Sequence, residues 1–140
     1  MNPQKTGCVI ETPAAAAAMI RAALPKEQRE ERVFVLPLDA HGKVLAKPIL
    51  VSVGHEDGTA AIDAGAIFRE ALKVGAEEII VAHNHPSGDP TPSKADYATT
   101  KKLNDGASLV GLELIDHLIL GAPESENGLG FVSMAELMAG

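Results

Sequence analysis

Tryptophan is missing from this 140-residue chain, and aromatic residues together make up only 3% of it. The core must therefore be built from Ala, Val, Ile and Leu. A single cysteine, Cys8, excludes an internal disulfide and a Cys-rich zinc site. Basic residues are also short, with 12 Lys and Arg against 19 Asp and Glu and a net charge of −7. Duplex binding rests on basic patches that neutralise phosphates, so this balance counts against a nucleic-acid face. No apolar run approaches the ~20 residues needed to span a bilayer. The Ala14–Ala18 run follows Glu11 and precedes Arg21, which reads as a helix and not as a signal peptide. A cytoplasmic protein without a membrane partner is the expectation. What the chain does have, 46% apolar and 22% charged residues, describes an ordinary globular protein of one domain.

Thr12-Pro13 reads as an N-cap followed by Pro at the first helical position, opening a helix over Ala14–Leu24. The charged stretch Lys26–Arg32 follows Pro25 as a linker, so residues 1–29 form an N-terminal helix and linker ahead of a domain over 30–140. Val33–Leu36 is a strand, Asp39–Gly42 suits a turn, and Val44–Val53 is a partner strand interrupted or edged by Pro48. After a Gly54–Gly58 loop, Thr59 can cap a helix to about Val74, stopped by Gly75. Glu78–Ala82 is a buried strand, Ser93 to about Leu109 a helix, and Leu112–Leu120 a strand. A polar, Gly-bearing loop over Ala122–Gly130 and a short strand at Phe131-Val132 close the pattern. Strand, helix and strand from Ile79 to Leu120 make a βαβ unit. The expected architecture is α/β, a mixed sheet flanked by helices in three layers.

Between the third strand and the third helix runs His83-Asn84-His85-Pro86-Ser87-Gly88-Asp89-Pro90-Thr91-Pro92-Ser93-Lys94-Ala95-Asp96. In open α/β sheets the site commonly lies beyond the carboxyl ends of strands, where His83 and His85 fall. Residues i and i+2 share a direction while the backbone stays extended, so both imidazoles can face one ion. Asp96 arrives from the first turn of the next helix. Two nitrogens and one oxygen leave one of four tetrahedral zinc positions open, as in a catalytic site. Ser93 and Asp96 taken alone also read as a helix cap, Ser at N-cap and an acid at N3. The two roles are compatible for Ser93 if its backbone caps the helix while its hydroxyl faces the ion. A metal-activated water needs a proton acceptor, and Glu31 is a candidate because it shares a strand face with Val33 and Val35.

The order His-x-His, seven residues, Ser, two residues, Asp resembles the JAMM signature of the MPN (JAB) metallopeptidases. The run from Ala82 to Ser93, Leu114–Gly121 downstream, Phe68-Arg69-Glu70-Ala71-Leu72 and Ser52-Val53-Gly54 are similar to the RadC-type branch, over roughly Glu30 to Val132. The resemblance implies a JAB1/MPN, cytidine-deaminase-like fold and one zinc ion held by His83, His85 and Asp96. It implies Glu31 as the acid/base, chosen over Glu30 by its eight-residue offset from Asp39, and Ser93 as the donor to the oxyanion of a tetrahedral intermediate. The substrate it implies is a peptide or protein, such as a ubiquitin-like conjugate. Relatives usually carry His-Pro-Arg before the Phe-Arg-Glu-Ala-Leu helix, where this chain has Asp63-Ala64-Gly65. With the domain expected to begin near residue 30, the helix-hairpin-helix region that RadC-type proteins often carry is not expected ahead of it.

Asp116 alternates with Leu114 and Leu118, so a buried carboxylate serving as a hydrogen-bond anchor is expected. His117, alternating with Ile115 and Ile119, reads as a core histidine or a support to the site. His41, His55 and Cys8 have no spacing that implicates them. Two further functions compete with a metallopeptidase: a metal-dependent nuclease or DNA-repair factor, and a binding module without turnover. Zinc deamination fits poorly, because its His-x-Glu and Pro-Cys-x-x-Cys elements are missing.

Overall fold

A computed structural model describes residues 6–54, 62–123 and 130–139. The elements are α1 (Pro13–Arg21), β1 (Glu31–Leu38), β2 (Ile49–Gly54), α2 (Ala64–Lys73), β3 (Glu78–Asn84), α3 (Lys94–Leu109), β4 (Glu113–Leu120), β5 (Phe131–Ser133) and α4 (Met134–Ala139). The strands form one mixed sheet in the order β2-β1-β3-β4-β5, with β3 parallel to β4 and the other neighbours antiparallel. The expected α/β class and the βαβ unit are both present.

Alternation along the strands divides the core in two. Phe34, Leu36 and Leu38 of β1 join Ile80, Ala82, Leu118 and Leu120 under α1. Val33 and Val35 join Ile79 and Val81 under α2 and α3. Helix α1, expected in an N-terminal segment with the linker, thus forms one outer layer, and Cys8 packs against the same cluster. Thr12 caps α1 by accepting from the Ala15 N–H at 3.1 Å.

Both crossover helices end in the same way. Gly75 (φ +75°) and Gly111 (φ +81°) occupy the left-handed position, and the next residues, Ala76 and Leu112, donate back to Ala71 and Ala107. This Schellman geometry turns each helix sharply into the strand after it.

Several boundaries depart from expectation. The strand expected over Val44–Val53 begins only at Ile49, because Pro48 cannot donate to a ladder; Val44 makes an isolated bridge to Leu38. Pro37 nevertheless lies inside β1. Its carbonyl faces Leu45, so its missing N–H also points away from β3 and costs that ladder nothing. Helix α2 starts at Ala64, capped by Asp63, whose carboxylate accepts from the Ala66 N–H at 3.0 Å. Thr59, the expected cap, and His55 lie outside the described residues, as does most of the 122–130 loop. Helix α4 is an addition to the expected order.

The largest departure is a bulge. Ile79 pairs with Leu114 but Ile80 pairs with Asp116, so Ile115 is an extra residue in β4. Leu114 therefore packs on the α2/α3 side, while Asp116 and Leu118 lie on the other face. The expected sharing of a face by Leu114 and Asp116, and by Ile115 and His117, is overturned by this inserted residue. The anchoring role of Asp116 holds: its carboxylate accepts from Ser133 Oγ at 2.6 Å, the Ala135 N–H at 3.0 Å and the His117 N–H at 2.8 Å.

Candidate metal centre

Strand β3 is central, and its last two residues project to opposite faces. His83 lies opposite Val33 and Ile119, on the face covered by α2 and α3. Extended backbone continues one step further, where the His85 N–H donates to the Leu120 carbonyl at 2.8 Å. The chain then reverses: Gly88 donates to the His85 carbonyl at 2.9 Å with φ +90°, a conformation that favours glycine. The Gly88 carbonyl in turn accepts from Ala122 at 2.7 Å, which ties the loop to the end of β4. Gly121 beneath it is obligatory, since a Cβ there would lie 2.4 Å from the Gly88 oxygen.

At the other end of the loop, α3 opens with a capping box. Ser93 Oγ accepts from the Asp96 N–H at 3.1 Å, and the Asp96 carboxylate accepts from the Ser93 N–H at 2.8 Å. The hydroxyl of Ser93, expected to face the ion while the backbone capped, itself makes the cap. Its proton remains available to a ligand, because a hydroxyl both accepts and donates.

These elements bring His83, His85 and Asp96 together, with one ligand atom from each all within 4.8 Å of one another. His83 Nε2 is 3.2 Å from one Asp96 oxygen and His85 Nε2 is 3.3 Å from the other. Glu31, from the start of β1, places its carboxylate 3.7 Å from the same His83 nitrogen. Glu30 instead faces Arg32 at 3.5 Å and is largely exposed. His83 is 1% exposed, and its Nε2 is buried without a hydrogen-bond partner despite the two carboxylates near it. Groups that converge without bonding one another are aimed at a shared point between them. A cation there would satisfy the orphaned nitrogen, so the residues fit a metal ion.

The electrostatics follow from the same crowding. Burial pushes the Glu31 carboxyl up, and the neighbouring His83 and His85 only partly offset this. Burial also pushes Asp96 upward, but His83, His85 and the Ser93 N–H outweigh it and hold that carboxyl well below its usual range. The Asp96 carboxylate raises His85, against burial. His117, wholly buried and beside His83, is lowered to about 3 and is therefore neutral.

Three supporting residues surround these groups. Asn84, between the two histidines, turns to the opposite face; its Oδ1 accepts from the Arg32 N–H at 2.6 Å, and its Nδ2 donates to the Glu30 carbonyl and to Gln28, each at 3.1 Å. It thus grips the chain on both sides of Glu31. His117 Nε2 lies 2.9 Å from His83 Nδ1, and Thr100 Oγ1 lies 2.7 Å from His117 Nδ1. The His85 Nδ1–H donates to the Asp89 carbonyl at 2.9 Å, which leaves its Nε2 lone pair directed at the cluster. Asn84 and Thr100 escaped the sequence reading. Thr100 had a signal, standing one helical turn after Asp96 on the same face; Asn84 had none beyond its place between the two histidines.

An α/β domain with a His-x-His and Asp cluster at a strand end and a helix start is the class that fold and site define. The model of the RadC-like JAB domain matches residues 10–139, and the chain belongs to that family. Its similar relatives include a UPF0758 protein of Acaryochloris marina, 46% identical over 113 residues, which are 81% of this chain and 45% of the relative. A UPF0758 protein of Carboxydothermus hydrogenoformans is 44% identical over 94 residues, 67% of this chain and 41% of the relative. One from Methanosarcina mazei is 36% identical over 96 residues, 69% of this chain and 41% of the relative. The chain spans less than half the length of each of these relatives. Family and cluster together point to a metal-dependent hydrolase.

Proposed function

We propose that this chain is a zinc-dependent amide hydrolase of the metallopeptidase type, acting on a peptide or protein tail such as that of a ubiquitin-like conjugate. The observation that carries the reading is the buried, unpartnered Nε2 of His83, with Asp96, His85 and Glu31 gathered around it. His83, His85 and Asp96 would hold the ion, and two imidazoles with one carboxylate suit zinc. When bound, zinc supplies Lewis acidity to a substrate carbonyl and to a water.

The remaining work falls to the protein. Glu31 accepts the proton that the attacking water gives up and returns it to the leaving amine. Burial raises this carboxyl above its usual range, the direction that makes it a better proton acceptor. Ser93 donates its hydroxyl proton to the oxyanion while its lone pair keeps the Asp96 N–H capped. Among the described residues no helix is long and apolar enough to cross a membrane, and a cytoplasmic location belongs to the same proposal.

The test is a metal assay beside hydrolysis of a panel of peptide and isopeptide-linked tails. Wild type is expected to carry one zinc and to lose activity with a chelator. Glu31→Gln should keep its zinc and lose turnover by about 10²-fold or more, whereas Asp96→Ala should lose the metal as well. Undiminished activity in zinc-loaded Glu31→Gln would remove Glu31 from the role of base.

A further inference from the structure

The interior behind His83 holds a continuous chain of hydrogen bonds. It runs from the backbone carbonyl of Asp96 to Thr100 Oγ1 at 2.9 Å, on to His117 Nδ1 at 2.7 Å, and from His117 Nε2 to His83 Nδ1 at 2.9 Å. All of its side chains are buried. The chain begins on one candidate ligand and ends on another. Resting on the metal-site reading above, we infer that Thr100 and His117 are positioning residues that set the tautomer of His83, keeping its Nε2 bare for a cation.

Proton counting leads there. A threonine hydroxyl has one proton to give, and a neutral imidazole has one N–H. If Thr100 donates to the Asp96 carbonyl, its oxygen must accept from His117 Nδ1–H. His117 Nε2 is then a lone pair and accepts from His83 Nδ1–H. That leaves His83 Nε2 without a proton, facing Asp96 and Glu31. The opposite sense runs every proton the other way: Thr100 to His117 Nδ1, His117 Nε2–H to His83 Nδ1, and a proton on His83 Nε2. Only the first sense admits a cation.

The Asp96 carbonyl is what distinguishes the two senses, because it accepts and cannot donate. It gives the hydroxyl proton a destination and so favours the metal-ready sense, against the Asp96 and Glu31 carboxylates, which draw a proton onto His83 Nε2 until a cation takes its place. The geometry depends on the bulge at Ile115, which turns His117 to the face where Thr100 stands. It also ties the two ligands together, so that α3 and β3 are held at one separation.

Valine is close in shape to threonine but offers no acceptor. In Thr100→Val the His117 Nδ1–H would be buried with no partner, which favours the reversed sense and a protonated His83 Nε2. Supporting groups of this kind typically change metal affinity by ~10–100-fold. The experiment is zinc affinity of the full chain, by chelator competition, for wild type, Thr100→Val and Thr100→Ser, with long-range ¹H–¹⁵N spectra of the histidines in zinc-loaded wild type. Expected are weakening by about 10- to 100-fold in Thr100→Val, recovery in Thr100→Ser, and N–H protons on Nδ1 of both His83 and His117. A zinc-loaded wild type with His117 protonated on Nε2 overturns the inference, as does Thr100→Val binding zinc as tightly as wild type with the tautomers unchanged. Should Thr100→Val fail to fold, the wild-type spectra still decide. Wild type that binds no zinc overturns the metal-site reading and this inference together, whereas zinc bound with the wrong tautomer overturns the inference alone.

Discussion

Asn84 separates two functions that adjoin one another in sequence. Its neighbours His83 and His85 face the candidate metal cluster, while its own amide grips the backbone at Arg32 and Glu30 on the opposite side of β3. Glu31 has no comparable side-chain clamp of its own; its carboxylate is placed by the strand that Asn84 secures. Asn84→Ala is therefore expected to disturb Glu31, the proposed base, and spare His83, His85 and Asp96, the proposed ligands. Removing the amide leaves the Arg32 N–H and Glu30 carbonyl short of partners, at about 1–3 kcal/mol for a buried group. Small misplacement of a reacting group costs rate on the order of 10²-fold. The measurement is turnover beside zinc affinity: a fall of that order in turnover with near wild-type affinity is the expected outcome. Equal losses in both would mean that Asn84 serves the whole loop and not Glu31 in particular.

At the scale of elements, the site depends on how the loop after β3 docks onto the end of β4. A Cβ at Gly121 would stand 2.4 Å from the Gly88 oxygen and 2.6 Å from Pro90 Cδ, and neither backbone nor proline ring can yield cheaply. Gly121→Ala should therefore displace the turn that carries His85, lowering stability by about 1–3 kcal/mol and weakening zinc as well. Gly106→Ala is the contrast: its Cβ would meet the Phe68 ring at 2.9 Å, between α2 and α3 and away from the loop. The ring clash is offset in part by the helix propensity that Ala gains inside α3, so it should cost less stability than Gly121→Ala and keep its zinc affinity, as melting curves and chelator competition would show. Much of this element-level design was readable from the sequence. Ser93-x-x-Asp96 announces its capping box, and Gly75 and Gly111 stop their helices, because such rules act over a few residues. The bulge in β4 was hidden, since Leu114-Ile115-Asp116-His117 alternates plausibly without it. Only pairing with β3 and the three donors around Asp116 reveal where the extra residue goes. Helix α4 had a local signal in Ser133-x-x-Glu136, where Ser133 Oγ accepts from the Glu136 N–H; its shortness and its start directly after β5 concealed it.

Considered as a whole, the molecule builds one cluster from parts of the chain that only the completed sheet brings together. Glu31 comes from β1, His83 from β3, His85 from the loop and Asp96 from α3. An unfolded chain cannot present that set, so the zinc proposed for the site should bind the native state almost exclusively and stabilise it. Binding of this kind contributes RT ln(1 + [L]/Kd), about 2.7 kcal/mol when free zinc is one hundred times Kd. For a domain of this size that corresponds to roughly 5–10 °C in Tm. The metal-free cluster has a further reason to gain, because Glu31 and Asp96 press two carboxyl groups toward one buried nitrogen, and a divalent cation relieves both that repulsion and the orphaned atom. Calorimetry should show the chelated protein melting lower by about that amount, with recovery on adding zinc. Asp96→Ala should melt at the same temperature with and without the ion. Wild-type curves that superimpose under both conditions would mean that the cluster does not hold zinc in the folded protein.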